Sequence, residues 1–252
     1  MRSHHPRRLV LFTTQRSGST WLFDVLRYGG AKVYGELFRD GIEGDSPFVA
    51  HDRVRYAASD HRTTVRPLGV WRYLQYVYGD GAEPVVGVKL MYRQARMVPE
   101  ALPVLRAMGA RLVHLVRRNS LDVLVSEAVA RQVGIWHTTT DEAQPASARV
   151  ELPPDRLVDA LRALDQRHVK ARWALRALAF PHLTIYYEDL IEDESWFPRV
   201  FEYVGLPWLA EGLRSDLVRR AASSHREAII NYEEVRQILQ AADLGHLLRG
   251  GA

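Results

Sequence analysis

Short apolar runs that alternate with helix-like patterns are the strongest constraint on this chain. Residues 8–14, 31–36, 84–92, 110–118 and 182–190 are brief and rich in β-branched, aromatic and leucine residues. Apolar positions at helical spacing fill residues 19–29, 69–78, 97–108, 120–133, 154–178 and 197–204. Strand–helix alternation of this kind predicts an α/β chain with a mostly parallel central sheet covered by helices on both faces. Parallel strands need crossover connections, and such sheets bind ligands beyond the carboxyl ends of their strands. Loops that follow strands are therefore the places to look for chemistry.

The remaining sequence narrows the classes. At 252 residues, with no repeat or low-complexity tract to divide it, the chain is expected to form one domain over residues 1–252. The formal charge is +4, carried almost wholly by arginine and without a long basic block. That pattern suits a bound phosphate or sulfate better than a nucleic-acid groove, so no nucleic-acid partner is expected. There is no cysteine, hence no disulfide or thiolate chemistry. The basic start is followed by an apolar run too short for a signal-peptide core, and no run reaches the roughly twenty apolar residues of a membrane span. A cytoplasmic protein is expected. The histidines, including His51, His61 and His137, show no metal-ligand spacing, and no metal is predicted.

The first strand breaks into Gln15-Arg16-Ser17-Gly18-Ser19-Thr20-Trp21 and then a helix. A tight strand-to-helix turn directs backbone N–H groups at one point, and the helix N-terminus adds partial positive charge. Gly18 allows close backbone approach, and Ser17, Ser19 and Thr20 add small hydroxyl donors. The competing interpretation is a serine that merely caps the helix. A nucleoside-triphosphate loop, G-x-x-x-x-G-K-[ST], would need a first glycine and a lysine that are lacking here. Arg16 stands instead where a forked guanidinium could hold an anion.

At this loop the chain resembles the PAPS-dependent sulfotransferases, which move a sulfuryl group from 3′-phosphoadenosine 5′-phosphosulfate. A second stretch, "RNSLDVLVS" at 118–126, resembles that family's 3′-phosphate motif R-N-x-x-D-x-x-x-S, with Arg118 and Ser126 as the phosphate contacts and Asn119 as helix cap. A third, "YYEDL" at 186–190, resembles a late family segment near the adenine, implying an adenine-side place for Tyr187 and base stacking for Trp21. Glu188 and Asp189 read as structural. "TQRSGSTW", "YGELF" and "GVKLM" resemble most the bacterial trehalose-sulfotransferase-like branch. The resemblance spans about residues 8–207 and implies a P-loop-like sulfotransferase fold, PAPS as co-substrate and, because relatives in this branch pair, a homodimer.

Roles follow from the chemistry of in-line transfer, which requires alignment, charge neutralisation and removal of one proton. Arg16 is the candidate for stabilising the departing 5′-phosphate oxygen. Glu36, after Gly35 at the end of the second strand, resembles the branch's catalytic glutamate and is the candidate general base. Lys89 is either a second cation facing the site or a strand-end lysine in solvent. The glycine-rich R-K-G loop of cytosolic relatives is missing; residues 223–234, with Arg226, are the candidate substitute. Residues 36–76 and 134–152 are expected to line the acceptor pocket, with Phe48, Tyr56, Trp71 and Trp136 able to stack on a sugar or aromatic ring. The expected acceptor is a hydroxyl of a carbohydrate or of a glycosylated or polyhydroxylated small molecule. Two alternatives of other kinds are a nucleotide-dependent phosphotransferase and a non-catalytic adenosine 3′,5′-bisphosphate-binding protein.

Overall fold

The computed structural model describes residues 6–38, 66–79, 83–134, 148–208, 215 and 224–249. Five strands, β1 (Arg7–Thr13), β2 (Ala31–Glu36), β3 (Val85–Met91), β4 (Arg111–Val116) and β5 (His182–Tyr186), form one sheet in the order β2-β3-β1-β4-β5. Every neighbouring pair is parallel. The expected α/β class and parallel sheet are what the chain adopts. The chain leaves β1 toward β2 on one side and leaves β4 toward β5 on the other, so their connections diverge at the carboxyl ends of β1 and β4. Such a divergence opens the crevice in which open α/β sheets bind ligands.

The helices are α1 (Ser19–Tyr28), α2 (Arg66–Gly79), α3 (Tyr92–Met97), α4 (Ala101–Ala107), α5 (Ser120–Val133), α6 (Leu157–Ala177), α7 (Tyr187–Glu192), α8 (Trp196–Val204), α9 (His225–Ala228) and α10 (Tyr232–Ala241). Successive side chains of a strand point to opposite faces, and β1 shows the consequence. Leu9 and Leu11 join the core under α1 and α8, with Leu22, Leu26, Phe197 and Phe201. Val10 and Phe12 join the core under α2, α4 and α6, with Leu74, Leu105 and Leu175. A third cluster packs Leu121, Val125 and Val129 of α5 against Leu161 of α6 and against Ile229, Val235 and Leu239 near the C-terminus.

Three expectations about elements need correction. The fifth strand stops at Tyr186, and residues 187–190, expected to continue it, form the first part of α7. Tyr-Tyr favours strand, but Glu188 and Asp189 occupy the first turn of a helix, where carboxylates are favoured, and Leu190 is buried in the α1-side core. The helix expected over 97–108 is confined to α4, and a separate short helix, α3, precedes it across residues 98–100. No element was expected after residue 204, yet α9 and α10 lie there.

Beneath the sheet the Tyr92 hydroxyl lies 2.7 Å from Nε2 of fully buried His114 and 3.2 Å from Nδ1 of His168. Burial pushes His114 down to about 3, reinforced by His168, His182 and Arg172, so it is neutral at physiological pH. Between its unfolded value near 6.5 and about 3, the unfolded chain binds a proton that the folded chain refuses; stability therefore falls as pH drops through that window. The slope of unfolding free energy against pH between those limits is expected to be shallower in His114→Leu than in wild type. An unchanged slope would contradict this assignment.

Candidate active site

The loop between β1 and α1 opens at the divergence of β1 and β4. Arg16 and Gly18 both have positive φ, 59° and 81°, which turns the chain sharply into α1. Gly18 is the N-cap, and it has no side chain with which to close the helix N-terminus. The hydroxyl of Ser17 is fully buried and instead lies 2.7 Å from that of Thr13, which donates to the Leu115 carbonyl at 2.6 Å. The loop is thus stitched to β4, while the first-turn amides of α1 keep their donors for an anion. Thr20, half buried on that first turn, accepts a hydrogen bond from Lys89 Nζ at 2.8 Å. Gln15 is exposed and Ser19 buried.

Arg16 donates from Nε to the Ser126 hydroxyl on α5 at 2.9 Å. The two proposed phosphate contacts from motifs 110 residues apart are therefore neighbours. Arg118 is held elsewhere: Asp189 takes its guanidinium bidentately, and it lies 3.9 Å from the centre of the Tyr186 ring. Glu188 accepts from the backbone amides of Arg118 and Asn119, and Asn119 caps α5 through the amides of Leu121 and Asp122. Glu188 and Asp189 thus fix the start of the 118–126 motif. Tyr187 packs over Gly18 so closely that a Cβ added there would lie 2.4 Å from its ring. Trp21 is half buried and meets Tyr187 edge-on at 6.2 Å.

Glu36 ends β2 opposite Lys89 of β3, after a shift of register that follows Val33. Gln94 of α3, itself buried, donates to Glu36 Oε2 at 2.8 Å and accepts at Oε1 from the Met91 amide. Gln94 carried no signal in the sequence, because its partner lies 58 residues away. Lys89 does not reach into solvent; only 7% of it is exposed. Burial lowers its pKa to about 8, and the Glu36 carboxylate opposes that shift. The ammonium is therefore lost near pH 8 instead of 10.5. If its charge serves turnover, the rate falls as pH rises through about 8, and Lys89→Arg moves that falling limb upward. A flat rate through this range in wild type would remove Lys89 from the charge-bearing set.

Near the C-terminus Arg226 of α9 is exposed, whereas its neighbour His225 is buried and bonds Asp122 of the 118–126 motif at 2.6 Å. Sequence reasoning named Arg226 and missed His225. Trp71 is half buried on α2 against the core. Phe48, Tyr56, Trp136, His51, His61 and His137, and most of the expected acceptor segments, lie outside the described residues. Among the described residues no helix is long and apolar enough to cross a membrane, and no three His, Asp or Glu side chains converge as metal ligands.

Known proteins resemble this chain over most of its length. Nodulation protein H of Rhizobium meliloti is 25% identical over 234 residues, covering 92% of this chain and 90% of that protein. A sulfotransferase of Alicyclobacillus acidocaldarius aligns with a TM-score of 0.49 at 12% identity, over 96% of this chain and 95% of the other. A mouse sulfotransferase solved with PAP aligns with a TM-score of 0.47 at 10% identity, over 98% and 89%. The Stf0 sulphotransferase family model matches residues 8–234, the span that holds the loop between β1 and α1, Glu36, Lys89, the 118–126 motif and α9, and the chain belongs to that family.

Proposed function

We propose that this sulfotransferase uses PAPS and transfers its sulfuryl group to a hydroxyl of a carbohydrate or of a glycosylated or polyhydroxylated small molecule. The observation that carries the proposal is the convergence of an uncapped helix N-terminus, the Arg16–Ser126 contact and the Glu36–Lys89 pair at adjacent strand ends. Donors of this kind suit a nucleotide with both 5′ and 3′ anionic groups: Arg16, Gly18, Ser19 and Thr20 for the 5′ side, and Ser126 with Arg118 for the 3′ side. Trp21 and Tyr187 supply aromatic surface for the base, with Gln15, Ser17 and Arg226 completing the set proposed from sequence. The residues fit the co-substrate.

In the proposed reaction the acceptor oxygen attacks sulfur, the bond from sulfur to the bridging phosphate oxygen breaks, and its electron pair leaves with adenosine 3′,5′-bisphosphate. Glu36 takes the hydroxyl proton, oriented by Gln94. Arg16, Lys89 and the α1 amides face the negative charge that develops on the leaving oxygen. No step needs a metal ion, and a cytoplasmic homodimer is part of the proposal. The test is incubation with PAPS labelled in sulfur and a panel of sugars, glycolipids and phenols. Label moving to a sugar hydroxyl supports the assignment; label moving to phenols alone overturns the acceptor class. Magnesium-dependent phosphate transfer from ATP without any sulfur transfer would overturn the PAPS assignment.

A further inference from the structure

Arg117 is one residue before the recognised motif and belongs to none of the roles above, yet it touches both the phosphate loop and the ring that packs on it. One guanidinium nitrogen donates to the carbonyl of Arg16 at 3.3 Å. The same guanidinium lies 4.8 Å from the centre of the Tyr187 ring, the ring that walls Gly18. Its other terminal nitrogen donates to Asp122 Oδ2 at 3.1 Å, and His225 Nε2 donates to Asp122 Oδ1 at 2.6 Å. His225 is 4% exposed and Asp122 is its side-chain partner among the described residues. Burial pushes the Asp122 carboxyl up, but the His225 hydrogen bond and the Arg117 charge outweigh it and hold the group below the usual carboxylate range.

Arg16 needs such support. A non-glycine residue at positive φ, as at Arg16, is disfavoured and persists where its surroundings over-determine it. We propose that His225, Asp122 and Arg117 form a positioning chain that holds the left-handed Arg16 backbone, and so ties the shape of the phosphate loop to the docking of the C-terminal α9 segment. Three side chains from two distant parts of the sequence act as one unit, because each fixes the next and a cut anywhere removes their hold on the Arg16 carbonyl. The α9 segment is itself anchored, since Ala228 and Ile229 are buried in the third core cluster and Ile229 bridges Val150.

The restraint on the loop stands on geometry alone; its effect on nucleotide affinity rests on the proposed function. The experiment compares wild type, Arg117→Met, His225→Leu, the double variant and His225→Gln. Amide hydrogen exchange is followed over residues 12–22, and adenosine 3′,5′-bisphosphate affinity by calorimetry. Each disruptive single variant is expected to speed loop exchange while exchange in β1 and the core of α5 stays slow. Each also weakens the bisphosphate by about tenfold or more. The double variant is no worse than the worse single, because the chain is already cut. His225→Gln, which keeps a donor for Asp122, recovers most of both. Wild-type loop exchange in both single variants would overturn the proposal, as would losses in the double variant that multiply. If wild type itself fails to bind the bisphosphate, the proposed function falls and hydrogen exchange alone decides the chain.

Discussion

Glu36→Gln lowers kcat by about 100- to 10,000-fold and leaves bisphosphate affinity and thermal stability close to wild type. Glutamine matches the shape of glutamate and still offers Gln94 an oxygen, so the β2 terminus keeps its hydrogen bond. What it loses is the capacity to take a proton, and that capacity is needed only as the acceptor oxygen bonds to sulfur. The effect should fall on kcat and kcat/KM alike, the signature of an interaction made in the transition state. A turnover within a few-fold of wild type would show that another group removes the proton, and would leave the Gln94–Glu36–Lys89 arrangement without a catalytic purpose. Because Lys89 sits opposite Glu36, the substitution also removes the carboxylate that opposes the lysine's burial, and the alkaline limb of any residual rate should move to lower pH.

Gly18→Ala carries the second large effect, on the phosphate loop. Gly18 has φ 81°, which costs an L-residue roughly 1–2 kcal/mol, and the new Cβ would lie 2.4 and 2.5 Å from two ring atoms of Tyr187. Both penalties bear on one turn, so a destabilisation of about 2–4 kcal/mol is expected in urea unfolding. The ring or the loop must move, and the amides of α1 move with it. Bisphosphate affinity is expected to fall about 100-fold. The double variant Gly18→Ala with Tyr187→Ala removes the collision but not the strained φ, so it should recover part of the stability and show a clear coupling energy. Wild-type bisphosphate affinity in Gly18→Ala would separate the loop's shape from nucleotide binding.

How much of this was legible in the sequence depended on how local each signal is. The strand–turn–helix unit around Arg16, Gly18 and Thr20 could be read because its signals are local and its amphipathic pattern starts at once with Trp21 and Leu22. Asn119 could be read as a cap for the same reason, since its partners are the next two residues but one. Glu36 could be read as a strand-end residue, whereas Lys89, offered as a strand-end lysine or a site-facing cation, lies buried within β3. That they stand opposite each other follows from β2 pairing with β3 across a shifted register, and a periodic pattern carries no register between strands. Gln94, Arg117 and His225 were missed because each acts on a residue brought near only by the finished sheet. Tyr187 was placed on a strand by the preference of its own side chain, while the carboxylates after it and the burial of Leu190 favoured a helix.

The same distinction explains Arg118. Its spacing to Ser126 was legible, but its partner Asp189 comes from the first turn of α7, and in the folded chain it is Arg16 that reaches Ser126. For the proposed 3′ role, Arg118 must exchange Asp189 for the nucleotide. It is suited to that exchange, because its side chain is 49% exposed and the ion pair is open to solvent.

The measurement that tests the central claim most directly is calorimetric titration of the purified protein with adenosine 3′,5′-bisphosphate without magnesium, beside ATP with magnesium. The account predicts one saturable site for the bisphosphate, weakened in Ser126→Ala and in Arg118→Ala, and markedly weaker binding of ATP. No heat at saturating bisphosphate, or tighter binding of ATP with magnesium, would contradict it.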